Sequence, residues 1–400
     1  MSGFGSKDHM NPTYIVPFHF DPPLDPTAAI NVSVNGREPM RFTVDTGLSS
    51  TLFIHRWAAL RCGLPLTGPA VSSMIGPQRL IRVPIDSVVF TDRSGQNIVH
   101  FSPKVGYVCE RDDAEERRGA VRVAGLIGMA FFQKYLLELD FRSKTLIMRT
   151  PPFGAWAQVD CAELTLREHT RWYSVRSRLS GDPYEMIVDT GSDFTGVSNV
   201  RNLNSAWPST RKKIWMFDGC REYVVALVPS IHIGNRDVGP VELCCLSANK
   251  PGILGLDVLS RFVTVLDYKN RRFALREHNE GPCAPRIQAE IGFTLTTAGT
   301  ECRVDSIDSN STAFQSGLRR GDVIFEIDGI RTSGLSIPAI SRLLAGYAGI
   351  DANVVVGRTP KLPRLTRKST DAHFALTFRA DRGTDLRAVR IPRRSPYKPS

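Results

Sequence analysis

Two copies of the sequence Asp-Thr-Gly, beginning at Asp45 and at Asp189, carry residue types that could do chemistry. Each copy follows an apolar stretch, residues 42–44 or 186–188, and its glycine allows the backbone to turn sharply after the aspartate. Two carboxyl groups held close together do not both ionise easily, so they share a proton. The ionised group could then take a proton from water while the protonated group donates to a carbonyl oxygen. This is general acid–base hydrolysis of an amide.

A second repeated block indicates which elements position these aspartates. Residues 125–149 align without a gap with residues 252–276, and both blocks begin with a glycine-apolar-apolar-glycine motif. In each block a 3.6-residue spacing predicts a short helix, at Met129–Tyr135 and at Leu256–Phe262, and a strand follows it. A single Asp-Thr-Gly is common in turns and indicates little. Two copies, each followed by the same block, predict two similar β-rich halves that face each other and bring the aspartates together.

These paired motifs resemble those of the pepsin/retropepsin clan, and in particular those of bacterial retropepsin-like aspartyl peptidases. The resemblance covers residues 13–276. It implies a mainly β fold with two retropepsin/pepsin-like β-barrel lobes in one chain, lobe 1 at 13–150 and lobe 2 at 151–276. It also implies that Asp45 and Asp189 are the catalytic residues of an aspartic endopeptidase acting on protein or peptide substrates, without a cofactor or metal. Because one chain carries both halves, homodimerisation is not required for catalysis.

Further site residues follow from the same resemblance. The threonines of the two Asp-Thr-Gly motifs are expected to brace the two loops across the pseudo-twofold axis that relates the halves. The glycines of these motifs are expected to line the pair of aspartates, and the last glycine of each glycine-apolar-apolar-glycine motif to pack beneath it. These supporting residues are Thr46, Gly47, Thr190, Gly191, Ser192, Gly128 and Gly255. A β-hairpin flap is expected to close over the substrate, with candidates at Met74, Ile75 and Gly76 in lobe 1 and at Phe217, Asp218 and Gly219 in lobe 2. Neither candidate contains the tyrosine that is typical of pepsin flaps.

The two motifs differ in the residue that follows them, which is Leu48 in the first copy and Ser192 in the second. A serine hydroxyl that donates to a carboxylate favours its charged form, whereas an apolar neighbour does not. The difference therefore predicts that Ser192 bonds to Asp189, which holds the negative charge, while Asp45 holds the proton.

The composition changes after Arg276. Residues 277–286 are polar with two prolines and are predicted to form a linker. Residues 313–329 have the pattern A-x-x-x-G-L-x-x-G-D-x-I-x-x-I-x-G, which resembles bacterial PDZ domains and implies a PDZ-like α+β domain at 287–380. Such domains bind an extended peptide as an added strand beside a helix, here predicted at residues 337–344. The peptide-binding residues would be Ile291, Gly292, Phe293, Thr294 and Leu295, and the ligand would be a C-terminal peptide.

The positive charge is concentrated at the C-terminal end. Residues 361–400 hold eleven Lys/Arg and three Asp, which is +8 of the net charge of +11. The last strand of the PDZ-like domain is predicted at residues 374–378, and residues 381–400 are predicted to be a basic disordered tail. A basic tail with one aromatic residue is weak support for nucleic-acid binding, so a nucleic-acid partner is not expected.

Other functional classes lack their usual signals. The eight cysteines form no C-x-x-C pair and the histidines form no H-E-x-x-H motif, so no metal site is predicted. No apolar run of roughly 18 residues and no signal-peptide pattern is present, which at face value predicts a cytoplasmic protein. A location in the cell envelope or outside the cell stays open if the start is processed. The alternative function is a peptide-binding adaptor in which the protease fold is catalytically idle, although two intact Asp-Thr-Gly motifs argue against it.

Overall fold

The protein is mainly β, as the sequence predicts. The computed structural model describes residues 12–72, 79–109, 122–151, 162–167, 171–198, 207–216, 219–247, 251–281, 283, 287, 289, 291–298, 301–346, 350–358 and 385–393. These residues contain 31 strands and five short helices. They form two compact units, which divide after Ile287.

The first unit begins with a half whose elements lie between residues 13 and 149. They are β1 (Thr13–Pro17), β2 (His19–Asp21), β3 (Asp25–Val34), β4 (Met40–Asp45), β5 (Leu52–Ile54), α1 (Arg56–Arg61), β6 (Ala70–Ser72), β7 (Arg79–Ile85), β8 (Val88–Thr91), β9 (Asn97–Phe101), β10 (Lys104–Cys109), β11 (Gly125–Gly128), α2 (Met129–Phe132), β12 (Leu136–Asp140) and β13 (Thr145–Arg149). We call this the first half.

The second half of the first unit lies between residues 162 and 276. Its elements are β14 (Ala162–Arg167), β15 (Trp172–Leu179), β16 (Asp182–Val188), β17 (Thr195–Ser198), β18 (Ser209–Met216), β19 (Gly219–Val228), β20 (His232–Ile233), β21 (Arg236–Asp237), β22 (Val241–Leu246), β23 (Gly252–Leu254), α3 (Leu256–Leu259), β24 (Val263–Asp267) and β25 (Arg272–Arg276).

The strand order is the same in both halves. In the first half it runs β7-β10-β5-β11-β4-β3, and in the second half β19-β22-β17-β23-β16-β15. In each half the strand of the glycine motif, β11 or β23, lies parallel to the strand that leads to Asp-Thr-Gly. Apolar residues of these paired strands, such as Phe42 and Val44 in β4 and Met186 and Val188 in β16, are buried in the core. Because these side chains are buried, the orientation of each strand is fixed, and with it the position of the aspartate at the strand's end.

The two halves share one antiparallel stretch of sheet in the order β1-β13-β12-β24-β25-β14. The central pair β12–β24 joins the halves, with Glu138 opposite Val265. Glu138 is buried, and both Arg149 and Arg276, which are equivalent in the repeat, form ion pairs with its carboxylate. This junction therefore fixes the halves to each other with backbone hydrogen bonds and a carboxylate shared by two arginines.

The second unit contains one sheet and two helices. Its elements are β26 (Phe293–Ala298), β27 (Glu301–Ile307), α4 (Thr312–Gln315), β28 (Val323–Ile327), β29 (Ile330–Arg331), α5 (Ile337–Ala345), β30 (Ala352–Arg358) and β31 (Asp385–Ile391). The strand order is β26-β27-β28-β30-β31, with β29 paired to β28, so β26 and β31 lie at the two edges of the sheet as far as the chain is described. Helix α5, which overlaps the predicted helix at 337–344, packs beside β26.

The prediction of a disordered basic tail at 381–400 is wrong for its described part. Residues 385–391 form β31, which pairs along its whole length with β30. The arginines of this segment have acceptors far away in the sequence. Arg387 binds the fully buried carboxylate of Asp322 at 2.7 Å, and Arg393 binds Asp328 at 2.7 Å. The strand predicted at 374–378 lies outside the described residues.

Arg393 also closes the C-terminal end of α5. Its buried guanidinium donates to the backbone oxygens of Leu343 and Leu344, which are among the last carbonyls of the helix. Those carbonyls have no partner within the helix, and a cation at a helix C-terminus is also favoured by the helix dipole. Arg393 therefore connects the segment that follows β31 with the C-terminal end of α5 and with the turn that contains Asp328.

Replacing Arg393 by alanine is expected to lower the free energy of unfolding of the second unit by about 3 kcal/mol, because Asp328 and two helix carbonyls lose a buried guanidinium as their partner. The matched control is Arg390→Ala, which removes the same charge from a side chain that is 75% exposed and forms an ion pair with Asp351. An exposed pair contributes at most about 1 kcal/mol. Urea unfolding of the three proteins measures both changes. Equal losses in the two variants would contradict the role of Arg393.

The predicted linker is fixed to the first unit where it is described. Glu280 forms an ion pair with Arg142 at 2.8 Å, and the backbone of Cys283 is hydrogen-bonded to that of Arg261. Assignment of the predicted ranges to two lobes, a linker and a PDZ-like domain stays a prediction. None of the described helices is long and apolar enough to span a membrane.

Candidate active site

Each Asp-Thr-Gly motif lies where a buried strand ends. Asp45 is the last residue of β4 and pairs with Gly128, and the amide of Asp189, just after β16, donates to the carbonyl of Leu254 at 3.0 Å. The loops that follow are held by equivalent bonds. The amide of Met129 donates to the carbonyl of Leu48, and the amide of Leu256 donates to that of Ser192, both at 2.8 Å. The start of each short helix therefore supports the loop that carries the aspartate.

The two motif threonines bind each other's strand. The hydroxyl of Thr46 donates to the carbonyl of Val188 at 2.7 Å and accepts from the amide of Thr190 at 3.1 Å. The hydroxyl of Thr190 donates to the carbonyl of Val44 at 2.6 Å and accepts from the amide of Thr46 at 3.1 Å. Both threonines are buried. Four hydrogen bonds in a reciprocal pattern thus lock the two loops together across the axis.

The same arrangement brings each carboxyl group against the glycine of the other motif. A Cβ atom placed on Gly47 would lie 2.5 Å from Cγ of Asp189, and one on Gly191 would lie 2.6 Å from Cγ of Asp45. Within its own loop, Oδ1 of Asp45 accepts from the amides of Gly47 and Leu48, and Oδ1 of Asp189 accepts from the amide of Gly191, all at 2.9 Å. The structure therefore brings the two aspartates together, partly exposed, above a buried threonine pair.

The predicted bond from Ser192 to Asp189 is wrong. The hydroxyl of Ser192 donates to the carbonyl of Phe194 at 2.9 Å, because the loop turns back on itself two residues after the serine. The single proton of a hydroxyl is then already used. Ser192 consequently supports the shape of the loop, and the predicted division of charge and proton between the two aspartates loses its basis.

The later glycines pack against the same loops. A Cβ atom on Gly128 would lie 2.0 Å from the carbonyl oxygen of Ser50, and one on Gly255 would lie 2.1 Å from that of Phe194. Only a residue without a side chain allows such a close approach of two backbones.

The flap candidates fall at the ends of two hairpins. Strands β6 and β7 pair up to Ser72 opposite Arg79, and residues 73–78, which include Met74, Ile75 and Gly76, lie outside the described part of the chain. Strands β18 and β19 pair up to Met216 opposite Gly219, and Phe217 and Asp218 are likewise outside it. The equivalent strands in the two halves thus carry the two candidates.

The predicted peptide-binding residues belong to the second unit. Ile291 and Gly292 precede β26, and Phe293, Thr294 and Leu295 are its first three residues. Gly292 has a positive φ of 66°, which favours glycine, and its carbonyl accepts from the amide of Asp308 at 2.9 Å.

Two residues of the first unit that the sequence did not single out lie close to the site. Asp257 in α3 accepts a hydrogen bond from the hydroxyl of Thr195 at 2.6 Å. Tyr268 is buried against Tyr173, and burial raises the pKa of its hydroxyl, with further contributions from Tyr173 and from the charge of Asp45. The aligned repeats contain a signal that could have found both residues, because the first half has Ala130 and Phe141 at the equivalent positions.

No group of three or more His, Cys, Asp or Glu side chains that could hold a metal ion occurs among the described residues. The site contains the carboxyl groups of Asp45 and Asp189, the backbone amides that donate to them and the buried hydroxyls of the two motif threonines. This arrangement could bind and polarise a water molecule between the carboxyl groups.

Comparison with known proteins gives one family match. Residues 30–131 match the aspartyl protease family, a range that includes Asp45 and Gly128. No curated protein sequence matches the chain. Similar solved structures include conglutin gamma, a basic 7S globulin from lupine seeds, at 9% identity and a TM-score of 0.42, and the basic 7S globulin from soybean, at 12% identity and a TM-score of 0.40. Each similarity covers 66% of this chain and 95% of the globulin.

Proposed function

Because residues 30–131 match the aspartyl protease family, we propose that the first unit is an aspartic endopeptidase with one active site. Its lobes are residues 13–150 and 151–276, and each supplies one catalytic aspartate, Asp45 or Asp189. The substrates are proteins or peptides. The observation that carries the proposal is the reciprocal bonding of Thr46 and Thr190, which sets each carboxyl group against the glycine of the other motif.

The mechanism follows from two close carboxyl groups that share a proton. The ionised group takes a proton from the water between them, and that water attacks the carbonyl carbon of the peptide bond. The protonated group donates to the carbonyl oxygen, so the charge that develops there is neutralised. Collapse of the tetrahedral intermediate returns a proton to the leaving nitrogen, and no covalent bond forms between enzyme and substrate. The partial exposure of Asp45 and Asp189 supports access of water and substrate.

The alternative is a peptide-binding adaptor that keeps the protease fold without catalysis. The experiment that separates the two functions is an assay of hydrolysis of an unstructured protein, with and without a pepstatin-type inhibitor that mimics the tetrahedral intermediate. The proposal expects fragments that disappear when the inhibitor is added. An adaptor would bind peptides and produce no fragments at any pH between 3 and 8.

We further propose that the second unit, a PDZ-like domain, binds an extended peptide. Two features support this: β26, which contains residues 293–295, pairs on one side only among the strands that the structure describes, and α5 packs beside it. An added peptide strand would gain backbone hydrogen bonds from β26 and side-chain contacts from α5. The expected ligand is the C-terminal segment of a substrate or partner protein.

Removal of residues 288–400 is expected to leave the hydrolysis of short peptides within about twofold of the full chain. It should lower cleavage of a protein substrate with a matching C-terminus by at least about tenfold, because a tethered binding domain raises the local substrate concentration. The measurement compares kcat/KM of both proteins on both substrates. A matching control is the same protein substrate with its last four residues removed. If kcat/KM for the short peptide falls as much as kcat/KM for the protein substrate, the second unit has a role other than substrate selection.

A further inference from the structure

The two ends of helix α5, which lies beside the proposed peptide site, are held in different ways. At its N-terminal end the hydroxyl of Ser336 accepts from the amide of Ala339 at 3.3 Å, so the helix provides its own cap. The helix stops before Gly346, whose φ is 47°. Its last carbonyls bind the guanidinium of Arg393, which belongs to the segment after β31. The C-terminal end of α5 is therefore held by a residue from far along the chain.

The buried guanidinium of Arg393 also binds the residues that lead into β30. Besides the helix carbonyls, it donates to the carbonyls of Ile350 and Asp351, both at 3.4 Å. A Cβ atom on Gly346 would lie 2.4 Å from Cζ of Arg393, so only a glycine leaves room for the guanidinium there. One side chain thus fixes the end of the helix and the start of the next strand together.

The sheet fixes the position of Arg393 in turn. Its guanidinium binds Oδ2 of Asp328 at 2.7 Å, and Oδ1 of the same carboxylate accepts from the amide of Asn353 at 2.8 Å. The amide of Asp328 also donates to the carbonyl of Asn353 at 2.8 Å. Hydrogen bonds between charged groups are shorter and stronger than those between neutral groups. The end of α5 is therefore connected to strands β28 and β30 through one arginine and one carboxylate.

The position of α5 decides how much room a peptide would have. A strand added to the sheet would lie about 4.8 Å from β26. Its alternate side chains would contact α5. Helix α5 packs beside β26 and buries Ile340, Leu343 and Leu344. A shift of the C-terminal end of the helix would therefore change both the space for the added strand and the contacts of its side chains.

We propose that Arg393 is a positioning residue of the peptide-binding site, and that it acts by holding the C-terminal end of α5 in place beside β26. The segment after β31 lies outside the predicted PDZ-like range of 287–380, yet it determines how tightly the second unit holds a C-terminal peptide. This inference rests on the proposed peptide-binding function, whereas the connection between Arg393 and α5 does not.

The expected effect is a smaller population of chains with a binding-competent site. Without Arg393 the last carbonyls of α5 lose their donors, so this end of the helix should fray or shift. A site that has the right shape for only a fraction of the time shows a Kd raised by the inverse of that fraction. We expect Arg393→Ala to raise Kd at least about tenfold, which corresponds to a helix end in place about a tenth of the time.

Peptide binding to the full chain tests the inference. The probe is a short, fluorescently labelled peptide with a free C-terminal carboxylate, selected on the wild-type full chain from a random library. Fluorescence anisotropy gives its Kd for the wild type and for Arg393→Ala. Arg393→Lys keeps a positive charge for Asp328 but lacks the planar fork that binds several carbonyls at once. Its Kd should lie between those of the other two proteins.

Arg387→Ala is the matched control for loss of stability. Arg387 in β31 binds the fully buried carboxylate of Asp322 and the carbonyl of Gly317, which both lie between α4 and β28. Removing it takes the guanidinium from a buried carboxylate, so this variant should also lose stability. Because these partners belong to neither α5 nor β26, its Kd should stay within about twofold of the wild-type value.

Hydrogen exchange of the full chain without peptide is the second measurement, made at a temperature at which every variant is folded. Amides near the C-terminal end of α5, including that of Gly346, should exchange faster in Arg393→Ala than in Arg387→Ala. This comparison reports on the helix itself and needs no ligand.

The outcomes keep the two proposals apart. Equal losses of affinity in Arg393→Ala and Arg387→Ala would overturn the inference, because affinity would then follow stability alone. An unchanged Kd in Arg393→Ala would overturn it as well. A wild-type chain that selects no peptide would contradict the proposed binding function. Faster exchange confined to α5 in Arg393→Ala would then still show that Arg393 positions the helix, and equal exchange would refute that role too.

Discussion

Replacing either Asp45 or Asp189 by asparagine is expected to lower kcat/KM for peptide hydrolysis by at least about a thousandfold. The asparagine side chain has nearly the same shape, so the Thr46–Thr190 bonds and the fold should be retained. What is lost is the shared proton, because an amide can neither take a proton from water nor donate one as an acid. Both variants should show the same loss, since either change removes one member of a single pair.

The measurement is kcat/KM of the two variants beside the wild type, with Tm recorded for each protein. Asp182→Asn is the control for loss of one negative charge, and it should keep full activity because its side chain is exposed at the start of β16. A single variant that retained near wild-type turnover would contradict a site made from two carboxyl groups.

The substitutions Gly47→Ala and Gly191→Ala are each expected to lower kcat/KM by about a hundredfold or more. The added methyl group would lie 2.5 Å from Cγ of Asp189 or 2.6 Å from Cγ of Asp45, so the carboxyl group of the opposite motif must move. A displacement of about 1 Å is enough to cost this much in rate. The fold should change little, because the atoms that move are the end of a side chain.

A substitution in the second glycine-apolar-apolar-glycine motif is expected to act on the fold and not only on the site. Gly255→Ala would place its methyl group 2.1 Å from the backbone oxygen of Phe194, which cannot swing aside. This variant should lose about 3 kcal/mol or more of the free energy of unfolding. Activity assays and urea unfolding of Gly191→Ala and Gly255→Ala should therefore separate a damaged site from a damaged fold. If Gly191→Ala kept full activity, the carboxyl group of Asp45 would not lie against it in the working enzyme.

The repeated motifs allowed much of the first unit to be predicted. The short helices expected after each glycine motif are α2 and α3, although both end three residues early. The meeting of Asp45 with Asp189 followed from the repeat, because equivalent residues of two similar halves meet at the axis.

The sequence could not indicate which hydrogen bond a given side chain forms. Ser192 has an equally good acceptor in the carbonyl of Phe194, and only the path of the loop selects it. Likewise, Asp257 follows a glycine motif and resembles an ordinary acidic residue at a helix start. Its pairing with Thr195, 62 positions away, appears only in three dimensions.

The C-terminal segment was mispredicted for a related reason. The composition of residues 381–400, which are rich in arginine, favours a disordered basic tail and does not indicate which carboxylates the arginines bind. The acceptors of Arg387 and Arg393 are Asp322 and Asp328, each 65 positions earlier and both within the PDZ-like pattern. Charge complementarity at that distance is visible only once β31 is paired with β30.

The most direct test of one active site per chain is a mixing experiment with the two inactive variants. Asp45→Asn and Asp189→Asn are combined in equal amounts, and hydrolysis of one peptide is compared with that of the wild type at the same total concentration. Because Asp45 and Asp189 of the same chain form the proposed site, the mixture should be as inactive as either variant alone. Recovery of a quarter or more of the wild-type rate would show that two chains contribute to each site and would contradict the account.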